Sequence, residues 1–294
     1  MEVHVLNTAK ARFLLVSVFI ARGTSFLFSK TLMQSLSPMN ILSARFLLAF
    51  AILALVFYKK LLNCDRRSLC GGIILGVLYT ICMSFEMFGL RLIDSGVSSL
   101  IENMAILLVP IFASILSRSL PKRKTMFCAL MAIAGVGFLS LTQNESVNGW
   151  FGIVLTILAA VTYAVCIMMT EKVSKNAEPL TIGIIQLGVM GILSFFAVLL
   201  IEDLEVPQTS QQWYILLILV LLCSCFGFAF QPLGQKYISS EEAAVLTVIN
   251  PFTASVMGIM VADESITAYK LIGYILVLAA LVLYNMKLGR TRAS

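Results

Sequence analysis

The feature that most limits what this chain can fold into is a succession of apolar runs, each about as long as a bilayer is thick. A helix needs about 20 apolar residues to cross the hydrocarbon core. Such runs recur at approximately 11–33, 39–57, 71–91, 95–117, 124–142, 150–170, 180–202, 213–233, 242–261 and 269–286. The segments between them are short, so no soluble domain is interposed. Of the 294 residues, 60% are hydrophobic and 12% are charged. A soluble domain carries roughly 25% charged residues and could not hide this much apolar surface. The expected fold class is all-α integral membrane, with ten transmembrane helices.

The net charge of +6 does not indicate a nucleic-acid partner. The basic residues fall in short clusters between apolar runs, which is how orientation is set in a bilayer. With the N-terminus inside, sixteen Lys and Arg lie in inner segments, and three (Lys30, Arg91 and Lys270) lie in outer ones. Both termini are therefore expected in the cytoplasm, with the chain multi-pass in the cell membrane. Residues 1–11 lack a signal-peptide layout, so the first helix is expected to be retained. The seven cysteines are scattered, mostly inside apolar runs, which argues against a disulfide framework. Cys223 and Cys225 stand at i,i+2 and do not share a helix face. Neither metal nor cofactor is expected.

The chain repeats itself. Phe85-Glu86-Met87-Phe88-Gly89-Leu90 returns 145 residues later as Phe230-Gln231-Pro232-Leu233-Gly234-Gln235. That shift carries spans four and five onto nine and ten. Nearer the N-terminus a shift of 141 carries Pro38 and Arg45 onto Pro179 and Gln186. Ten spans then divide into a first repeat over 11–142 and a second over 150–286. Five is odd, so the second copy crosses the membrane in the opposite sense. Two inverted five-helix repeats are an architecture of transporters.

Several short segments, in order and spacing, resemble the drug/metabolite transporter superfamily, specifically the EamA-type exporters. They are Arg22-Gly23-Thr24-Ser25-Phe26 with Lys30, Pro38 with Arg45-Phe46, Phe85-x3-Gly89-Leu90, Ser98-Ser99-Leu100-Ile101 leading to Val109-Pro110, Asn250-Pro251-Phe252, Asp263-Glu264 and Gly273. The resemblance covers nearly the whole chain. It implies a basket of helices around a central cavity and export of small metabolites such as amino acids. The chain departs from the pattern at Arg118-Ser119, where members often have a Gly-Glu turn. It departs again at Glu86, where a neutral residue is usual.

An ionisable side chain inside a span costs about 2.5–3.5 kcal/mol on insertion scales and needs a reason. Arg22, Arg45, Glu86 and Glu102 lie well inside spans of the first repeat, and Lys30 lies nearer an end. Their second-repeat counterparts are Tyr163, Gln186, Gln231 and Thr247, all polar. At about 1.5 Å per residue, Arg45, Glu86 and Glu102 share one level. Two readings stand for these three: a structural ion-pair network, or a substrate-binding or proton-coupling role. Arg22 has no carboxylate at its own level. It is suited to a substrate carboxylate or other anion, or to a clamp on backbone carbonyls. Tyr163 needs a partner for its hydroxyl, and Gln231 is the neutral twin of Glu86. Tyr79, Phe226 and Phe228 lie near these levels and read as aromatic filler.

These six residues (Arg22, Arg45, Glu86, Glu102, Tyr163 and Gln231) are the candidate substrate-binding or coupling set. The function expected is secondary transport of an amino acid or related organic solute by alternating access, with efflux as its direction. Energy would come from protons or from the substrate's own gradient, since the chain has no Gly-x4-Gly-Lys-[Ser/Thr] motif. The partners expected are the small-molecule substrate, protons and the lipid bilayer. The rival class is an integral-membrane enzyme acting on a lipid or head group. Its usual parts are missing from the apolar runs: the one histidine is His4, and Asp65, Asp94, Asp203 and Asp263 fall in loops.

Overall fold

The computed structural model describes residues 7–118, 120, 123–142, 147–261 and 267–285. His4, Asp263, Glu264 and the basic residues after 286 lie outside them. Among the described residues every regular element is helical, with no strand. The order is α1 (Thr8–Leu32), α2 (Pro38–Val56), α3 (Tyr58–Leu62), α4 (Arg66–Leu92), α5 (Ser95–Glu102), α6 (Ala105–Leu116), α7 (Arg123–Thr142), α8 (Val147–Ser174), α9 (Pro179–Ile201), α10 (Ser210–Ile218), a π-helical stretch (Leu219–Phe226), α11 (Gln231–Gln235), α12 (Ser240–Leu246), α13 (Ile249–Val261) and α14 (Ala268–Asn285). Among the described residues, seven helical stretches are long and apolar enough to cross a membrane, taking α5–α6 as one and α10 through α11 as another.

Local chemistry sets the boundaries. Pro38 and Pro179 occupy the first turns of α2 and α9, where a missing N–H costs nothing. Asp65 accepts from Ser68 N to start α4. Thr209 and Gln212 form a capping box on α10. At the end of α6, the Ser117 and Arg118 amides bond back to Ala113 and Ile115. Arg118 stands at φ 52°, the one positive φ among the described non-glycine residues. A Cβ is crowded in that left-handed conformation, and this is where the sequence departs from the glycine usual in the resembling family.

Two spans that read as continuous in sequence are broken. The fourth stops after Glu102 and resumes at Ala105; the ninth stops after Leu246 and resumes at Ile249. At the first break the Asn103 side chain bonds back to Ser99 O at 2.8 Å, which competes with the helical ladder. At the second, Pro251 has no N–H for Thr247 O, and the Thr247 hydroxyl turns back to Ala244 O at 2.7 Å. The eighth span is also irregular, passing from α-helix to π-helix before Gly227–Phe230.

The helices pack as an interleaved bundle. α4 lies against α8 and α9, α2 against α9, α1 against α13, and α7 against α14. Glycines permit the closest approaches. A Cβ on Gly183 of α9 would fall 2.3 Å from Ala229 O, so α9 presses directly on the segment that carries Phe228. The ends of the bundle form two polar clusters. At one, Glu202 accepts from Met39 N, Asn40 N and Asn40 Nδ2, while Gln212 donates to Ser35. At the other, Arg12 pairs with Glu242, Glu171 accepts from Ser240 N, and Glu178 pairs with Lys60 at 2.7 Å.

Two predictions follow from the caps. Arg118→Gly relieves the left-handed strain and raises stability by about 1 kcal/mol, read as a higher midpoint of denaturation in detergent. Burial would push the Glu178 carboxyl up, but hydrogen bonds from Lys60 and from the Thr181 hydroxyl and amide outweigh it and hold the group below its ordinary value. A depressed carboxyl stabilises the fold above its unfolded pKa, and that stability is lost as pH falls through the folded value. Glu178→Gln is expected to lower stability near neutral pH by about 1 kcal/mol. It should also flatten the loss of stability expected of the wild type below about pH 4.

Candidate functional site

The six candidate side chains come from six elements and are all buried. Arg22 is on α1, Arg45 on α2, Glu86 on α4, Glu102 at the last residue of α5, Tyr163 on α8 and Gln231 at the first residue of α11. The breaks in spans four and eight place two of them at helix ends, where backbone polar groups are also free of the ladder.

Arg22 is the most connected member. Its Nη1 donates to Gln231 Oε1 at 2.8 Å and to Tyr163 Oη at 3.1 Å. Its guanidinium carbon lies 4.3 Å from the Phe228 ring centroid and 4.8 Å from that of Tyr163. Three elements are thus tied by one cation, and the aromatic faces replace part of its hydration.

Arg45 is held differently. Its Nε donates to Ser224 Oγ at 2.6 Å. Its guanidinium carbon lies 5.0 Å from the Phe46 centroid and 5.6 Å from that of Phe228. Nη1 and Nη2 have no hydrogen-bond partner although the residue is 0% exposed. The ion-pair network open to Arg45, Glu86 and Glu102 in the sequence does not form. Shared depth along a span fixes height but not direction, and the Arg45 fork meets neither carboxylate. Glu86 and Glu102 instead lie within hydrogen-bonding reach of each other, and Glu102 Oε1 accepts nothing from a donor.

Two residues matter more than their sequence context suggests. Phe228 has the Arg22 guanidinium at 4.3 Å and the Arg45 guanidinium at 5.6 Å. Its ring also packs edge-on to Phe46 and Tyr79, with centroids 5.4 and 5.5 Å away. Ser224 is the acceptor for Arg45, and it sits in the π-helical stretch, a geometry that often marks functional sites. The one sequence signal for either was proximity to Gln231. Cys223 and Cys225 face different neighbours, Thr24 Oγ1 at 3.6 Å and Ala49 O at 3.7 Å. No group of three or more His, Cys, Asp or Glu placed to hold a metal occurs among the described residues.

The family model described as "EamA-like transporter family" matches the chain twice, over residues 9–141 and 150–286. The chain belongs to the EamA-like transporter family. It is thus a multi-pass membrane protein of a transporter family, and the resemblance read from its motifs is correct. This EamA-like protein is 24% identical over 279 residues to an uncharacterized transporter of Archaeoglobus fulgidus, covering 93% of this chain and 85% of that one. It is 26% identical to an uncharacterized transporter of Buchnera aphidicola, covering 88% of each. It is 23% identical to the uncharacterized transporter YcxC of Bacillus subtilis, covering 91% of this chain and 90% of that one. A solved crystal structure aligns with TM-score 0.70 at 15% identity, covering 95% of this chain and 98% of that one. At that identity it speaks for the fold alone.

The role of Ser224 can be tested directly. Ser224→Ala leaves the Nε proton of a fully buried cation without an acceptor. It is expected to lower stability by about 1.5–3 kcal/mol, measured by denaturation in detergent.

Proposed function

We propose that this protein is a secondary transporter built from two inverted five-helix repeats, 11–142 and 150–286. In this reading it exports an amino acid or related organic solute across the cytoplasmic membrane by alternating access. The observation that carries the reading is the hydrogen bond between Arg22 and Tyr163. These residues are equivalent under the 141-residue shift, so their contact lies where a pseudo-two-fold axis between the repeats would pass. Other contacts exchange in the same way. The Cβ of an alanine at Gly191 would meet Leu47, and that of one at Gly188 would meet Phe50. The shift carries Leu47 to Gly188 and Phe50 to Gly191. The helix breaks after Glu102 and Leu246 also nearly correspond. Substrate sites of such transporters lie near the midplane at the repeat interface, beside broken helices, and the Arg22 cluster has that character.

The ten spans of this reading are the seven membrane-length stretches together with α7, α12–α13 and α14. The excess of Lys and Arg in alternate loops favours both termini in the cytoplasm. The six site residues line the central passage, with Arg22 and Arg45 toward the substrate.

Glu86 and Glu102 carry the coupling proton. Two carboxyl groups this close and away from water are suited to share a proton. The groups that face them are Arg22 from α1, Arg45 from α2, Cys82 from α4 and Tyr163 from α8. Movement of the repeats changes which side of the membrane this pair reaches. Export is then driven by proton entry.

The first experiment is a thermal-shift screen of the purified protein against amino acids and small metabolites, because a ligand of the folded state raises its stability. Its best ligand is then used, labelled, in proteoliposomes. Wild-type protein is expected to give counterflow and uphill movement driven by an imposed pH gradient. Glu86→Gln matches the neutral Gln231 of the other repeat. It is expected to keep counterflow while gradient-driven accumulation falls about tenfold or more. Unchanged accumulation and pH dependence would remove Glu86 from the coupling path.

A further inference from the structure

The reading above leaves the charge of the substrate open, and the two arginines differ in a way that bears on it. Arg22 is committed to Tyr163, Gln231 and two ring faces. Arg45 also has two ring faces, from Phe46 and Phe228, but only its Nε donates a hydrogen bond, to Ser224. Its two terminal nitrogens are buried and unpartnered. Such an arrangement is costly in a protein interior, because an ionised group taken from water needs hydrogen bonds to replace those it lost. The part left open is the end of the fork, where Nη1 and Nη2 lie side by side. That edge matches the two oxygens of a carboxylate, which accept two parallel charge-assisted hydrogen bonds. A single-oxygen acceptor would leave one nitrogen unsatisfied.

The surroundings limit what the carboxylate is attached to. The walls beside the Arg45 fork are the rings of Phe46 and Phe228. They favour an apolar body over a polar one.

Charge is the second constraint. Arg22 and Arg45 bring two positive charges. Glu86 and Glu102 lie within hydrogen-bonding reach of each other, and in the transport reading they share one proton. The cluster then has two guanidiniums against one carboxylate, which leaves one positive charge in excess. A monoanion neutralises it. A zwitterion leaves the excess in place, a cation adds to it, and a phosphate dianion overshoots it. Uncompensated charge is penalised at this depth.

We infer that the substrate is an organic monoanion with an apolar body, and that the open fork of Arg45 holds its carboxylate. This rests on the transport reading of the same site and narrows it. The range of possible solutes thereby moves from amino acids in general to carboxylic acids whose net charge is negative, and Arg45 takes the anion-binding role for which Arg22 is the candidate in sequence.

The test uses purified full-length protein in detergent and a matched set of probes: 4-methylpentanoate, leucine, 3-methylbutylamine and 4-methylpentanamide, with a monocarboxylate series from acetate to octanoate. The monoanions are expected to raise the denaturation midpoint, 4-methylpentanoate above leucine, with no shift from the amine or the amide. Arg45→Gln, which installs the residue of the equivalent position 186, is expected to weaken monoanion binding by about tenfold or more, while Arg45→Lys keeps the charge, loses the fork and recovers only part of it. Gel filtration and the unliganded midpoint establish that each variant is folded. Should Arg45→Gln fail to fold, the probe ranking on the wild type decides alone. Equal or stronger stabilisation by leucine or the amine overturns the inference, as does the absence of a shift with every carboxylate, or undiminished binding by folded Arg45→Gln. Counterflow of labelled 4-methylpentanoate in proteoliposomes separates this from the transport reading. Arg45-dependent binding without counterflow keeps the anion site and sinks transport. Counterflow of leucine that is indifferent to Arg45 keeps transport and sinks the anion site.

Discussion

The hydrogen bonds of Arg22 to Tyr163 and Gln231 are the interaction on which the centre of this protein depends. A guanidinium in the middle of an apolar bundle is costly unless its donors and its charge are answered locally. Here one nitrogen reaches two acceptors, on α8 and at the start of α11. Aromatic faces from Phe228 and Tyr163 close over the same group. Elements far apart in sequence must therefore meet at one point.

Close backbone approach makes the convergence feasible. Gly183 lets α9 press on Ala229, and Gly89 lets α4 reach Thr156 and the backbone of Gly152. Small residues take this role in membranes because lipid offers no hydrophobic drive to bring helices together, so contact depends on shape and hydrogen bonding. The polar cluster and the glycine crossings are thus parts of one arrangement. The glycines bring the helices within reach, and the polar groups fix which faces meet.

Much of this was legible in the sequence, and the rest was not for specific reasons. Apolar run length located the helices to within a few residues, since burial in lipid demands a nearly fixed number of them. The motifs named the family. The charged residues inside spans were rightly expected to be buried, because Arg22, Arg45, Glu86 and Glu102 have no other place to go. The sequence left an Arg45 ion pair open as one of two readings, because position along a helix gives depth and leaves the facing direction undetermined. The break near Asn103 was hidden because a side chain bonding to its own backbone leaves apolar periodicity intact, whereas the one near Thr247 had a visible mark in Pro251. Phe228 was concealed by its neighbours: among Phe226, Phe228 and Phe230, nothing in composition says which ring will face a cation.

The caps at the two ends of the bundle have an energetic consequence. The first turn of α2 has no acceptor of its own; Ser37 N, Met39 N and Asn40 N rely on Glu205 and Glu202 from the segment after α9. The first turn of α9 carries its own acceptor, Glu178, which Lys60 and Ser68 merely steady. Parting the chain at the α2 end strands three backbone donors at once. Parting it at the α9 end leaves the helix start satisfied. The two ends are therefore unequal hinges: one resists separation by dehydrated amides, and the other yields for the loss of a half-exposed ion pair.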